Sequence, residues 1–219
     1  MATSTKSRRK TQRIIYGPRT SGILMTPEEY DAIDPDSCVR GFRYELINGV
    51  FVVTPPVDLA ERDPNEYLAY LLMSYKENHP QGSVLDFTVN ESDVADNSQR
   101  RRCDRAIWVG LGRLPDPSKD VPTIVVEFVS KSKRDFVRDY EQKRDEYLAA
   151  GVKEYWIIDR FRRIMTVHRP GVAPLVVLES LLYTTELLPE FELPLARLLE
   201  RADRWKKTRT PKVNPGDTK

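Results

Sequence analysis

The spacing of apolar residues divides the chain into alternating short strands and helices. "TPEEYDAI" opens with Thr26 and Pro27, which suit an N-cap and a first helical turn, so a short helix is predicted there. "RYELINGVFVV" predicts a hairpin, with strands at Tyr44–Ile47 and Val50–Val53 around Asn48-Gly49. Asn-Gly accepts the positive φ angles of a two-residue hairpin loop. Pro55-Pro56 ends the second strand. From about Asn65 to Asn78, residues Tyr67, Leu68, Leu71, Leu72 and Tyr75 fall on one helical face.

Further along, "SVLDFTVN" and "RAIWVG" read as strands. "VPTIVVEFVS" is β-branched and almost continuously apolar, as a strand covered on both faces would be. "DFVRDYEQKRDEYLAAG" returns to helical spacing through Phe136, Tyr140, Lys143, Tyr147 and Leu148, and Gly151 suits its C-terminal end. "KEYWIID" is the next strand, "IMTVHR" and "PLVVLES" continue as a meander, and "LPEFELPLARLLE" reads as a closing turn and short helix. Thr123 to Asp159 is therefore strand, helix, strand, and a right-handed crossover makes its two strands parallel. The expected fold class is α/β or α+β: a central mixed sheet flanked by helices, with hairpins at its edges.

Composition narrows the class. With 40% hydrophobic and 31% charged residues in 219, the chain reads as a soluble globular protein with one domain of ordinary size. A net charge of +2 gives no global attraction to nucleic acid. The ends are more basic: "KSRRKTQR" (Lys6–Arg13) and "RWKKTRTPK" (Arg204–Lys212) read as solvated tails or non-specific phosphate contacts. The expected organisation is a flexible basic tail over residues 1–22, a domain over 23–200 and a basic tail over 201–219. Cys38 and Cys103 are too few for a disulfide framework or a Cys-ligated zinc. No apolar run suits a signal peptide or a membrane span, so a cytoplasmic location and no membrane partner are expected.

Glu127 interrupts the apolar run "IVVEFVS". A buried carboxylate must be paired, bound to a metal or protonated. Asp104 precedes "RAIWVG", after a polar loop, and converges with Glu127 if the two strands are neighbours. Two close carboxylates call for a cation, and an oxygen-rich site suits Mg²⁺ or Mn²⁺. Lys143, on the helix that follows, can reach back over the sheet, and Glu45 in "YELINGV" is a further candidate. A structural ion pair between Glu127 and an arginine is the plainer alternative.

These pieces carry a resemblance. "MTPEEYDAI", "YELINGV", "VVTPP", "CDRAIWV", "PTIVVEFVSKS", "RDYEQKRDEYLAAGVKEYWIID" and "LLPEFELPLARLL" occur in the order found in the Uma-type restriction endonuclease family, a branch of the PD-(D/E)XK nuclease superfamily. The likeness covers roughly residues 24 to 199. It implies a restriction-endonuclease-like domain and a Mg²⁺- or Mn²⁺-dependent endonuclease acting on DNA, with a homodimer plausible by analogy. It also implies a site of Asp104 and Glu127 as metal ligands, with the main-chain carbonyl of Phe128. Glu45 would serve a second metal or its water, and Lys143 would supply the catalytic lysine from the next helix. Three positions depart from the family pattern. Val129 stands where the usual lysine falls, Cys103 where the proline falls, and no histidine follows Pro55-Pro56. The alternative function is therefore an inert nuclease-fold module that binds DNA or protein.

Other signals carry less. Ser130-Lys131-Ser132-Lys133 has an S-x-x-K spacing without its companion motifs and reads as loop. Arg100, Arg101 and Arg102 read as a basic turn or a phosphate contact. His79 and His168 lack metal-ligand spacing, and Trp108, Trp156, Tyr140 and Tyr147 read as core.

Overall fold

The computed structural model describes residues 14–95, 98–130 and 138–205. The basic run Lys6–Arg13, most of Arg204–Lys212, and Lys131, Lys133 and Arg134 lie outside the described residues. The chain divides into two compact units, residues 1–56 with 95–102 and residues 57–94 with 103–219.

In the first unit, Tyr16 bridges Cys38 and residues 18–20 form a 3₁₀ turn. Helix α1 (Pro27–Asp31) starts at a reciprocal cap: Thr26 Oγ1 accepts the Glu29 N–H, and the Glu29 carboxylate accepts the Thr26 N–H. Strands β1 (Arg43–Ile47) and β2 (Val50–Thr54) pair antiparallel, Ile47 opposite Val50. Asn48 and Gly49 take φ of 49° and 75°, as the predicted two-residue turn requires. Leu46 and Phe51 are fully buried, and Tyr44 stacks on Phe51.

In the second unit, helix α2 (Leu59–Asn78) begins six residues before the expected Asn65. Asp58 caps it by accepting the Glu61 N–H at 3.0 Å, and Pro64 lies inside its second turn. Strand β3 (Leu85–Ala95) pairs with β4 (Arg100–Val109), which runs across the boundary between the units. "RRRC" before Asp104 is therefore strand rather than polar loop. Strand β5 (Ile124–Phe128) pairs antiparallel with β4 and parallel with β6 (Glu154–Asp159). The parallel pair is joined by a π-helical turn (Arg138–Gln142) and helix α3 (Lys143–Ala150), ended by Gly151 at φ 107°. Strands β7 (Ile164–Arg169) and β8 (Val172–Leu178) extend the sheet antiparallel. Residues Leu182–Thr185 (β9) and Leu188–Pro194 (β10) form a separate hairpin before helix α4 (Leu195–Asp203). "LPEFELP", expected as a turn, is thus strand β10. Buried Phe191 and Leu193 alternate with exposed Glu190 and Glu192 on one covered face, and a register shift, with Glu190 at φ 61°, brings Leu188 into the same core.

Apolar layers cover both faces of the sheet at β4, β5 and β6. Ile107, Ile124, Val126, Trp156 and Ile158 join Leu68 and Leu72 of α2 and Leu198 of α4. Ala106, Val125, Tyr155 and Ile157 point the other way and join Tyr147 of α3. This explains the unbroken apolar reading of β5 and β6. Among the described residues no helix is long and apolar enough to cross a membrane.

The link from α2 to β3 is tight. A Cβ on Gly82 would lie 2.6 Å from the Lys76 carbonyl oxygen and still closer to that of Tyr75. Gly82→Ala is expected to lower stability by roughly 1–3 kcal/mol, as overpacking does. The urea midpoint measures it, and an unchanged midpoint would contradict this packing.

Candidate active site

Asp104 and Glu127 come together through strand register. Arg105 pairs with Val126 across the antiparallel β4–β5 ladder, so Asp104 and Glu127 are the next residues in line. They lie on the face of Ala106 and Val125, the side covered by α3. Asp104 is 4% exposed and Glu127 2%. The Asp104 carboxylate accepts the Phe128 N–H at 2.8 Å, which binds it to the end of β5.

Helix α3 brings the cation. Lys143 Nζ donates to Glu127 Oε1 at 2.7 Å, and the Tyr147 hydroxyl donates to the same oxygen at 3.0 Å. Lys143 and Tyr147 are one helical turn apart and so share a face. The Tyr147 ring meets the Tyr155 ring edge-on at 5.2 Å, which fixes the hydroxyl by packing. Val129, two residues beyond Glu127, is buried in the same apolar cluster. Val129 is thus hydrocarbon among hydrocarbon, and the ammonium beside Glu127 comes from α3.

Asp104 is also held through its main chain from the opposite face. Asn65 of α2 donates to the Asp104 carbonyl at 2.9 Å, and Arg105 Nε donates to Asn65 Oδ1 at 2.6 Å. Arg105 further donates to the Asn65 carbonyl and to Thr88 Oγ1. Burial lowers the Arg105 pKa. At the end of β6, Asp159 is 1% exposed and accepts the Tyr140 hydroxyl at 3.2 Å. Burial first, then the Asp159 charge, push the Tyr140 phenol up to about 12.

Asp104, Glu127, Phe128 and Lys143 thus converge in the second unit. Glu45 belongs to the first, where its Oε1 accepts the Arg102 N–H at 3.1 Å. The three arginines read as a basic turn or phosphate contact are in strand β4: Arg101 is 2% exposed and Arg100 pairs with Asp31 at 2.7 Å. Three further positions join the site that the sequence does not single out. Tyr147 reads as core in the sequence, and its i+4 spacing from Lys143 is the one signal of a shared face. Asn65 reads there only as the start of a helix, and Asp159 only as the end of a strand.

The donor set suits a hard divalent cation. Among the described residues no group of three or more His, Cys, Asp or Glu side chains is arranged to hold a metal. Two carboxylates with waters are nonetheless a usual protein share for Mg²⁺, which keeps much of its hydration.

Comparison with known proteins bears on the family and the fold. The family model Uma2, described as "Putative restriction endonuclease", matches residues 27–196. The crystal structure of a "putative nuclease belonging to DUF820" from Anabaena variabilis shares the fold, with a TM-score of 0.64 at 14% sequence identity. The match covers 81% of this chain and 99% of that one. No curated protein matches the chain.

Two outcomes follow from the buried groups. Lys143→Met removes a cation from beside a buried carboxylate and is expected to cost roughly 3–5 kcal/mol. Adding Glu127→Gln should recover part of that loss in a double-mutant cycle by urea unfolding, and strictly additive losses would refute the coupling. The second outcome concerns alkaline pH. Tyr140 keeps its proton in the folded chain above its ordinary value of 10.0. Its contribution is therefore complete below pH 10 and fades as pH rises towards 12. Tyr140→Phe should lose less stability over that interval than the parent, and parallel pH profiles would contradict the assignment.

Proposed function

Because this chain belongs to the Uma2 family of restriction-endonuclease-like proteins, we propose that it is a metal-dependent endonuclease hydrolysing DNA phosphodiester bonds at Asp104, Glu127 and Lys143. The observation that carries this reading is the meeting of two buried carboxylates and a buried ammonium on one sheet face, delivered by β4, β5 and α3. Asp104, Glu127 and the Phe128 carbonyl are the groups that would hold the ion. Mg²⁺ or Mn²⁺, when bound there, supplies Lewis-acid polarisation of a phosphate oxygen and a more acidic water.

The residues of the chain do the rest. The Phe128 N–H and the Asn65 amide fix Asp104 in side chain and main chain. Tyr147 orients Glu127 by donating to Oε1, and so acts as a positioning residue. Lys143 carries three donors, so an ammonium bound to Glu127 can also serve a substrate phosphate or its water. There it would offset the charge that develops on the phosphoryl oxygens, or orient the attacking water. The apolar layer of Val125, Val129, Tyr155 and Ile157 keeps bulk water from the inner side of the site. Cutting both strands of a duplex calls for two such sites, which a homodimer would supply.

The competing reading, an inert module that binds DNA, is favoured by the buried Val129 at the usual lysine position. Cleavage of supercoiled plasmid with Mg²⁺ or Mn²⁺ decides between them. Asp104→Ala and Lys143→Ala are each expected to slow cleavage by about 100-fold or more. Cleavage at the parent rate by both variants would remove these roles. Plasmid binding that is insensitive to EDTA, with no nicking under any divalent ion, would establish the inert module.

A further inference from the structure

The turn from β6 to β7 reads "DRFRR", Asp159 to Arg163. It lies at the edge where β5 and β6 both end. Glu127 pairs with Ile157 and Phe128 with Ile158, so Asp159 is one residue past the last pair. The turn is firmly built. Asp159 Oδ1 accepts the N–H groups of Phe161 and Arg162, both at 2.9 Å, while Oδ2 takes the Tyr140 hydroxyl. The one acidic charge of the turn is thereby directed inward.

Its three arginines differ. Arg160 reaches Asp58 at 3.4 Å, and Arg163 is paired with Glu179 and Asp203. Arg162 is exposed, lies over the Tyr140 ring at 5.8 Å, and has no carboxylate partner among the described residues. Beside it Phe161 is 50% exposed, with the Arg160 guanidinium 4.8 Å from its ring centre. Tyr140, under Arg162, is three residues before Lys143 on the same helical segment.

We propose that Phe161 and Arg162 form a nucleic-acid contact flanking the candidate site, Arg162 taking a backbone phosphate and Phe161 packing on the adjoining sugar or base. This deepens the nuclease reading and rests on it. A cation free of carboxylates and an exposed ring, side by side on a fixed turn, match a strand that offers phosphates on one side and flat apolar groups on the other. Asp159, which anchors the turn, lies two residues beyond the level of Glu127, about 7 Å along the strands, so the turn flanks the candidate site.

The test is fluorescence anisotropy of a fluorescein-labelled duplex oligonucleotide with the full chain in EDTA, over a range of salt. Arg162→Ala is expected to weaken binding about 3- to 10-fold at low salt and to reduce the slope of log K against log salt by about 0.9, the loss of one phosphate contact. Phe161→Ala should weaken binding with the salt slope unchanged. Lys119→Ala is the control, since it removes an exposed charge from the loop that leads into the opposite end of β5. Equal effects of Arg162→Ala and Lys119→Ala would overturn the inference while leaving the nuclease reading in place. If the parent chain binds no DNA either in EDTA or with Ca²⁺ in its place, and nicks no plasmid with Mg²⁺ or Mn²⁺, the nuclease reading falls, and this contact with it.

Discussion

Lys143 and Glu127 meet at 2.7 Å with side chains only 2% and 3% exposed. Removing two charges from water is expensive, and their attraction repays it only with good geometry and further hydrogen bonds. The Tyr147 hydroxyl supplies one such bond. The constraint reaches beyond the pair. It ties the first turn of α3 to β5, the strand that opens the β5–α3–β6 crossover, so α3 cannot slide along the sheet without stranding a buried carboxylate. An apolar pair of equal volume would pack as well, but it would fix neither the register nor the chemistry.

The opposite face of the sheet completes the restraint. Arg105 follows Asp104 on β4 and therefore points to the α2 side, where it engages the side chain and carbonyl of Asn65. Asn65 in turn bonds the Asp104 carbonyl. A residue whose carboxylate faces α3 is thus immobilised by a helix it does not face. Helix α2 thereby sets the position of one member of the carboxylate cluster through its main chain.

Much of this was legible in the sequence because local chemistry and tertiary packing agree there. Asn48-Gly49 defines its hairpin, the apolar runs of β5 and β6 match a sheet covered on both faces, and Glu127 stands out as the one charge in "IVVEF". The parallel pairing follows from the crossover. The reading failed where context overrides local preference. "RRRC" looks like a solvated turn, yet it pairs within β4, and Arg101 is buried. The start of α2 was hidden because Pro64 looks like a helix breaker, whereas the start is set by the Asp58 cap six residues earlier. "LPEFELP" carries two prolines and a register shift, which together obscured a short strand. Tyr147 shows the deeper limit: an aromatic at helical spacing gives no sign of where its hydroxyl ends.

The π-helical turn at Arg138–Gln142 gives Lys143 a dependence on counting. Each residue of an α-helix advances the side-chain direction by about 100°. A wider turn placed just before α3 therefore sets the azimuth at which Tyr140, Lys143 and Tyr147 emerge. Loss or gain of one residue within that turn would rotate the same amine by about 100° away from Glu127, with every functional side chain still present in the sequence. In this segment the spacing between residues is inherited information in its own right, and two chains that share every motif but differ by one residue in length need not share a catalytic centre.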